Sequence, residues 1–328
     1  MMTRTILAIL TCSVISPAQS SSATATGTYH FTTPQSAQSL QEAATVIRTV
    51  ASVSEVSVDS PTAKLTFSGP VGGVNFAEWV LPQIDKAAGD DAVHEYKSPS
   101  GDIGRVNFVP NLQKPQELQE VLTILRTVAD VQKIFTFSSN RAVVLRGPDW
   151  QVAFAEWIID QIQQKPDSTP HEFTVGGPDP AWERDARVNF LSNMTSPQQM
   201  QEVLTVLRTV GDIQKVFSYS TRHALVLRSA GSELQRAEWI IQQLDLLAGQ
   251  ASGPASFNAT GADDVTRVFR MRNTAQQGIQ AAVTGIRSDL NIKKIFPTYS
   301  PATITVRGTA DQIASTATWM TVHTMLFE

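Results

Sequence analysis

A ten-residue segment occurs twice in this chain. The segment QEVLTILRTV at 119–128 returns as QEVLTVLRTV at 201–210, with Val206 in place of Ile124. Its apolar residues recur at helical spacing, so each copy is predicted to be an amphipathic helix. This constrains the fold more than composition does, because self-similarity at a fixed period is typical of an array of one structural unit.

Two shorter markers extend the repeat over most of the 328 residues. Ala-Glu-Trp occurs at 77–79, 155–157 and 237–239, and Ala-Thr-Trp follows at 317–319. An arginine recurs in the same register, at Arg48, Arg126, Arg208 and Arg287. The chain therefore contains four copies of a unit that is about 80 residues long, counted between these markers.

Each copy has the same order of predicted elements, which is clearest in the second copy. RVNFVPN (105–111) reads as a strand, and Pro115 marks the first turn of a helix. KIFTFS (133–138) and AVVLRG (142–147) then form two strands joined by a short turn, and a second helix runs from about 149 to 164. The prediction is an α+β fold of four βαββα domains, each a small three-stranded sheet with two helices on one face. We expect four separate cores.

The segments between copies mark the domain boundaries. KSPSGD, GGPDP and GQASGP are rich in Gly, Pro and Ser, which favours linkers. Short segments at 94–97, 171–174 and 256–259 occupy similar places and each predict one extra strand. The core units span 28–88, 105–165, 187–248 and 267–328. With their connector strands, the predicted domains are 28–88 for repeat 1, 93–165 for repeat 2, 170–248 for repeat 3 and 255–328 for repeat 4.

The amino terminus predicts a secretory signal peptide over 1–25. Arg4 precedes an apolar run that ends near Ile15, and small residues follow, with cleavage expected after Ser20 or Ala25. Cys12 is the one cysteine and lies in this leader, so the mature chain would use neither disulfides nor a thiolate site. We expect a periplasmic or otherwise exported protein without a transmembrane segment in the mature chain.

Composition and motifs argue against several functions. The apolar fraction of 42% indicates a folded chain, and 26 basic against 30 acidic residues leave a net charge of −4 without a basic run. Nucleic-acid binding is therefore not expected. The five histidines form no metal-ligand cluster, and neither HExxH nor GxSxG occurs. The expectation is a protein that is not an enzyme and holds no cofactor or metal.

Four tryptophans in register are the candidate contact surface. They are Trp79, Trp157, Trp239 and Trp319. On a helical projection each lies opposite the centre of its helix's apolar stripe. The favoured interpretation is that each covers the flank of its own domain, over the first helix. The alternative is a contact between adjacent repeats or with a partner.

The repeated arginine predicts structural ion pairs. It lies at the edge of the first helix's apolar stripe, where the glutamate before each tryptophan could reach it. We expect pairs between Arg126 and Glu156 and between Arg208 and Glu238. Arg287 should lack the equivalent partner, because Thr318 replaces the glutamate. An anion-binding ladder of arginines is the less favoured alternative.

The βαββα order, the Arg-Val-x-Phe strand and the Leu-Arg-Gly before the last helix of repeat 2 resemble the short repeat domain of bacterial secretins. The resemblance implies a NolW-like, KH-like topology that stacks in periplasmic rings below a pore. The long Gly-rich pore region is not seen here, so pore formation is not implied. KH-like RNA binding is not expected either, since a GxxG loop is missing.

The resulting hypothesis is an exported, non-enzymatic scaffold or adaptor that acts through protein–protein contacts in the cell envelope. Its expected partners are proteins, with secretion or pilus components and self-assembly as options. The alternative is an extracytoplasmic carbohydrate or small-ligand binding protein that uses the tryptophan-bearing helix faces.

Overall fold

A computed structural model describes residues 23–86, 94–167, 169–178, 183–247, 250, 255–258, 263–272 and 275–323. Residues 1–22 of the predicted signal peptide lie outside the described residues. Within the described part, no helix has both the length and the apolar character of a membrane span.

The first two repeats follow the predicted order. Repeat 1 consists of β1 (Thr24–His30), α1 (Ala37–Thr49), β2 (Glu55–Asp59), β3 (Lys64–Pro70) and α2 (Val71–Ile84). Repeat 2 adds a connector strand and consists of β4 (His94–Lys97), β5 (Ile103–Phe108), α3 (Pro115–Thr127), β6 (Lys133–Phe137), β7 (Ala142–Gly147) and α4 (Asp149–Gln163).

The last two repeats have the same plan as repeat 2. Repeat 3 consists of β8 (His171–Thr174), β9 (Asp185–Phe190), α5 (Pro197–Thr209), β10 (Lys215–Tyr219), β11 (Ala224–Ser229) and α6 (Gly231–Leu244). Repeat 4 consists of β12 (Ser256–Asn258), β13 (Val265–Arg270), α7 (Gln276–Leu290), β14 (Lys294–Tyr299), β15 (Ala302–Gly308) and α8 (Ala310–Val322).

The sheets are antiparallel and small. The first has the order β1-β3-β2, and the others have the orders β4-β5-β7-β6, β8-β9-β11-β10 and β12-β13-β15-β14. A short strand lies at each connector position, at one edge of its sheet. The predicted class of four tandem α+β domains is confirmed.

The expectation of four separate cores is wrong, because each repeat shares its core with the next. In β7, Val143 and Leu145 belong to the core of repeat 2. Ala142 and Val144, on the opposite face of the same strand, belong to the core of repeat 1. Helix α1 packs on β6, and α3 and α5 pack on β10 and β14 in the same way. A sheet after the first therefore lies between its own two helices and those of the preceding repeat.

The first sheet has a different outer face. Its inward residues, such as Leu65 and Phe67, are buried. Its outward residues are polar and exposed or half-buried: Thr24, Thr26, Thr28, Ser57, Thr66 and Ser68. A sheet that meets water on one face has this alternation of apolar and polar residues. The polar face of repeat 1 is one end of the stack.

Candidate interaction surfaces

Three of the four repeated tryptophans lie at joints between repeats. The Trp79 ring lies 5.5 Å from the ring of Tyr96 on β4. The Trp157 ring lies 5.1 Å from Phe173 on β8, and the Trp239 ring 6.3 Å from Phe257. Each tryptophan thus packs on the connector strand of the following repeat, at distances typical of favourable aromatic pairs. The less favoured interpretation, a contact between repeats, describes these three residues.

Trp319 follows the other interpretation and stays within its own repeat. Its indole N–H donates to Asp289 on α7 at 2.9 Å, and its ring stacks on His323 at 3.9 Å. The indole also lies against Gly285, where a Cβ atom would be 2.5 Å from it. The fourth tryptophan therefore covers the first helix of repeat 4.

A glutamate on the first helix joins each repeat to the next. The Glu42 carboxylate accepts the backbone N–H of Ser138 at 2.8 Å. Glu120 accepts that of Ser220 at 2.9 Å, and Glu202 that of Tyr299 at 2.9 Å. These hydrogen bonds are charge-assisted. Ser138 and Ser220 lie in the turns that follow β6 and β10, and Tyr299 is the last residue of β14. The equivalent position on α7 is Ala281, which has no carboxylate.

An ionic cluster adds a second contact to the later joints. Asp130, which follows α3, accepts from Lys215 and from the fully buried Arg228 of repeat 3. Asp212, which follows α5, accepts from Lys294 and Arg307 of repeat 4. Both aspartates have positive φ, a conformation that Asp tolerates better than most residues. At this position Asp both tolerates the positive φ angle and supplies the carboxylate that the cluster needs.

The joint between repeats 1 and 2 lacks this aspartate. Ser52 stands at the equivalent position, also at positive φ. In repeat 2, Lys133 and Arg146 bind Asp102 of their own repeat, at 3.4 and 3.2 Å. Arg146 also lies over the Phe76 ring of repeat 1. This joint thus relies on apolar packing, the Glu42 bond, further hydrogen bonds of Ser39 and Asn140 across the joint, and a cation–π contact.

The predicted pairs Arg126–Glu156 and Arg208–Glu238 are wrong. The Arg126 guanidinium donates to the carbonyl of Ile134 at 3.0 Å, and Arg208 donates to that of Val216 at 2.8 Å. Arg48 and Arg287 make the same bond eight residues ahead, to Val56 and Ile295. The arginine ends the first helix and turns toward the next strand, away from the second helix. The shared role explains why Arg287 recurs although Thr318 replaces the glutamate.

The two glutamates bind different arginines. Arg105 on β5 contacts Glu156 at 3.2 Å and Glu95 of the connector strand at 2.7 Å. In repeat 3, Arg187 contacts Glu238 and Glu172 in the same way. Burial raises the pKa of Glu156 although the Arg105 charge opposes the shift. Each arginine therefore ties the connector strand to the second helix of its own repeat.

The described residues contain no group of three or more His, Cys, Asp or Glu side chains suited to a metal ion. The histidines of the first two connector strands pack against aromatic rings. His94 meets the Phe108 ring edge-on, and His171 meets Phe190 in the same way. A shallow groove of about 370 Å³ in repeat 3 is lined by Glu183, Asp212, Gln214, Lys215, Arg228, Ser229 and Glu233. Three of these charged groups, Asp212, Lys215 and Arg228, already form ion pairs across the joints, and Glu183 pairs with Lys215 within repeat 3.

No protein-family model and no curated protein sequence matches the chain. Among solved structures, Aeromonas hydrophila ExeD is similar at 14% identity and a TM-score of 0.16, over 88% of this chain and 60% of ExeD. The structure of XcpQN012 is similar at 14% identity and a TM-score of 0.21, over 68% of this chain and all of that one. The type II secretion system secretin GspD of E. coli K12 is similar at 11% identity and a TM-score of 0.17, over 88% and 59%. The chain thus spans about three fifths of the ExeD and E. coli K12 GspD chains.

Proposed function

We propose that the chain is an exported, non-enzymatic scaffold whose stacked repeats present contact surfaces to other proteins of the cell envelope. The observation that carries the proposal is the use made of the recurring side chains. Three of the four tryptophans and the first-helix glutamates join repeats, and each repeated arginine bonds the edge strand of its own sheet. A residue that recurs because each joint needs it gives no support to a recurring catalytic site.

The proposed localisation and the proposed class of partner are inferred from the sequence. The predicted leader favours export, and the βαββα repeat resembles the short domains of secretins. We therefore infer envelope proteins, with secretion or pilus components first, as partners. An array of near-equivalent units suits such a role, because linked weak contacts gain from their high effective concentration.

The carbohydrate-binding alternative loses its main support. An open tryptophan face is the usual platform for a sugar ring. The rings of Trp79, Trp157 and Trp239 instead lie against aromatic residues of the next repeat. Sugar binding at these positions would have to separate two repeats.

The proposal can be tested by export and by cross-linking. A fusion to a reporter that is active only outside the cytoplasm should be active with residues 1–25 and inactive when they are deleted. The purified mature chain should cross-link to the same envelope proteins when either partner is the bait. Reporter activity that does not depend on the leader would refute export, and turnover of a substrate by the purified chain would refute the non-enzymatic role.

The start of strand β1 favours one of the two predicted cleavage positions. Strand β1 begins at Thr24, and Ala25 pairs with Gly69 and lies against the core of repeat 1. Cleavage after Ala25 would remove the start of this strand. We therefore expect cleavage after Ser20, so that amino-terminal sequencing of the exported protein reads Ser21-Ser22-Ala23. A mature protein that begins at Thr26 would contradict this.

A further inference from the structure

One row of sheet edges is blocked by the repeated arginine. The edge strands β2, β6, β10 and β14 each direct one carbonyl away from the sheet, and that carbonyl accepts the arginine. An incoming strand would have to displace a guanidinium there. Edge protection by a charged side chain is a common way to prevent strand addition.

The opposite row of edges is covered by the connector strands, except in the first sheet. Strands β4, β8 and β12 pair with β5, β9 and β13. Strand β1 takes the place of β5 in repeat 1, and no fourth strand pairs with it among the described residues. It is seven residues long and has neither a proline nor a charged Lys, Arg, Asp or Glu.

The hydrogen-bond phase of β1 is fixed by its two ends. The N–H of Val71 donates to Ala23, and the N–H of Phe31 donates to Ala63. Alternate residues of an antiparallel strand direct their backbone groups to opposite sides. Thr24, Thr26 and Thr28 therefore direct their N–H and C=O groups away from β3.

The later repeats show how a strand occupies this edge. The bond from the N–H of Ser98 to Asp102 sets the phase of β4, so that Tyr96 pairs with Gly104 through hydrogen bonds. Counted from the repeated arginine, Gly104 of repeat 2 corresponds to Thr26 of repeat 1. The same groups that hold β4 are thus presented by β1.

We propose that this edge pairs with β1 of a second copy of the chain, antiparallel and centred on Thr26. The sequence Thr24-Ala-Thr-Gly-Thr28 is nearly the same in both directions. Such pairing sets Thr26 opposite Thr26 and Thr24 opposite Thr28. Threonine pairs across strands are favourable, and no like charges meet. The product is a six-stranded sheet with a two-fold axis.

The other edge of the same sheet shows why β1 is selected. Strand β2 reads Glu-Val-Ser-Val-Asp, so antiparallel pairing about Ser57 would set Glu55 opposite Asp59 of the second copy. Like charges directly opposite each other destabilise a strand pair. Beside β1, a Cβ atom added at Gly72 in the first turn of α2 would meet nothing within 4 Å, so this residue leaves room for a second molecule.

The pairing is tested by a cross-link at the two-fold axis. The chain from residue 21 onward has no cysteine. In a hydrogen-bonded antiparallel pair, opposite Cα atoms lie about 5.5 Å apart, within the range for a disulfide. Thr26→Cys should therefore give a covalent dimer under mild oxidation. Thr24→Cys and Thr28→Cys should each form no covalent dimer alone and should cross-link to each other when mixed.

A charge variant tests the non-covalent dimer. Thr26→Lys sets two ammonium groups opposite each other and should weaken dimerisation at least tenfold in sedimentation equilibrium. Ser57→Lys adds the same charge to the same face, away from β1, and should leave the dimer intact. A monomeric wild-type chain, or equal cross-linking of all three cysteine variants alone, would overturn the proposal. These assays use the purified chain alone, so their failure leaves the proposed envelope role untouched.

Discussion

Strands β3 and β7 occupy the same position in the first and second sheets but have different outer faces. In β3 the buried residues Leu65 and Phe67 alternate with half-buried polar ones. In β7 every residue is buried. The difference arises because β7 is covered by the helices of repeat 1, whereas β3 has no described repeat in front of it. Burial of the outer face is therefore set by the neighbouring repeat and not by the fold of the repeat itself.

The largest expected effect is a charge placed on these two outer faces. Val144→Asp buries a carboxylate between repeats 1 and 2 and should cost about 3–5 kcal/mol of unfolding free energy, since a buried charge would be left unpaired. Thr66→Asp makes the matched change on β3 and should cost less than about 1 kcal/mol. Chemical denaturation followed by circular dichroism compares the two. Equal losses would mean that the joint is not a core.

The ionic joint offers a second comparison. Asp130→Ser copies the residue of the first joint and removes one carboxylate from the buried Arg228, which keeps a contact with Glu183 at 4.0 Å. We expect a loss of about 2–3 kcal/mol, below the full cost of an unpaired buried charge because backbone carbonyls still accept from Arg228. The control is Asp149→Ser on the surface of α4. An unfolding midpoint that does not change would show that the cluster adds no net stability.

Acid should weaken the joint between repeats 3 and 4, where Asp264, just before β13, contacts Arg236 of α6 at 2.7 Å. The Arg307 hydrogen bond holds the pKa of Asp264 below its ordinary value, with burial opposing and the Arg236 charge assisting. A lowered folded pKa gives stability that is fully present above the unfolded value of about 4 and is lost as pH falls through the folded pKa. Asp264→Asn should reduce the fall in unfolding free energy between pH 5 and pH 2. An unchanged pH profile in the variant would contradict the assignment.

The smallest expected effect is a gain at the first joint. Ser52→Asp would place a carboxylate where Asp130 and Asp212 stand in the later joints. There it would be attracted by the positive charge of Arg146. The positive φ suits Asp at least as well as Ser. We expect a gain of about 0.5–1 kcal/mol that diminishes in high salt. Ser52→Asn, which keeps the backbone preference without the charge, should give less. If both variants gain equally, the backbone and not the charge is responsible.

The sequence predicted the order of elements because strand and helix periods differ and because four copies could be compared. It also contained a signal for two-sided burial, which our prediction missed. AVVLRG in β7 is a continuous apolar run, as expected for a strand covered on both faces, whereas KLTFSG in β3 alternates. The signal was missed because the prediction assigned each sheet to its own helices only.

The partners of the repeated charges could not be read from register alone. Arg126 and Glu156 recur at the same spacing in successive repeats, but so do Arg105 and Glu156. Sequence spacing does not show in which direction an arginine side chain points. The structure decides because Arg126 lies in the last turn of α3, next to the strand that follows. The role of the first-helix glutamates could not be predicted for a related reason. Glu120 binds a backbone N–H 100 residues away, and backbone groups have no sequence signature.

The shared cores have a consequence for the growing chain. The bond from Glu42 reaches Ser138 across 96 residues, and the equivalent bond from Glu202 reaches Tyr299 across 97. During synthesis or passage through a translocon, the apolar faces of one repeat's helices stay uncovered until the next sheet has emerged. At every stage the most recently emerged repeat therefore exposes the apolar surface. A holding chaperone would bind that repeat rather than the repeats that are already covered. In repeat 4, Trp319 covers Gly285 and Ala281 stands in place of the glutamate, so part of the first helix is covered within the repeat itself.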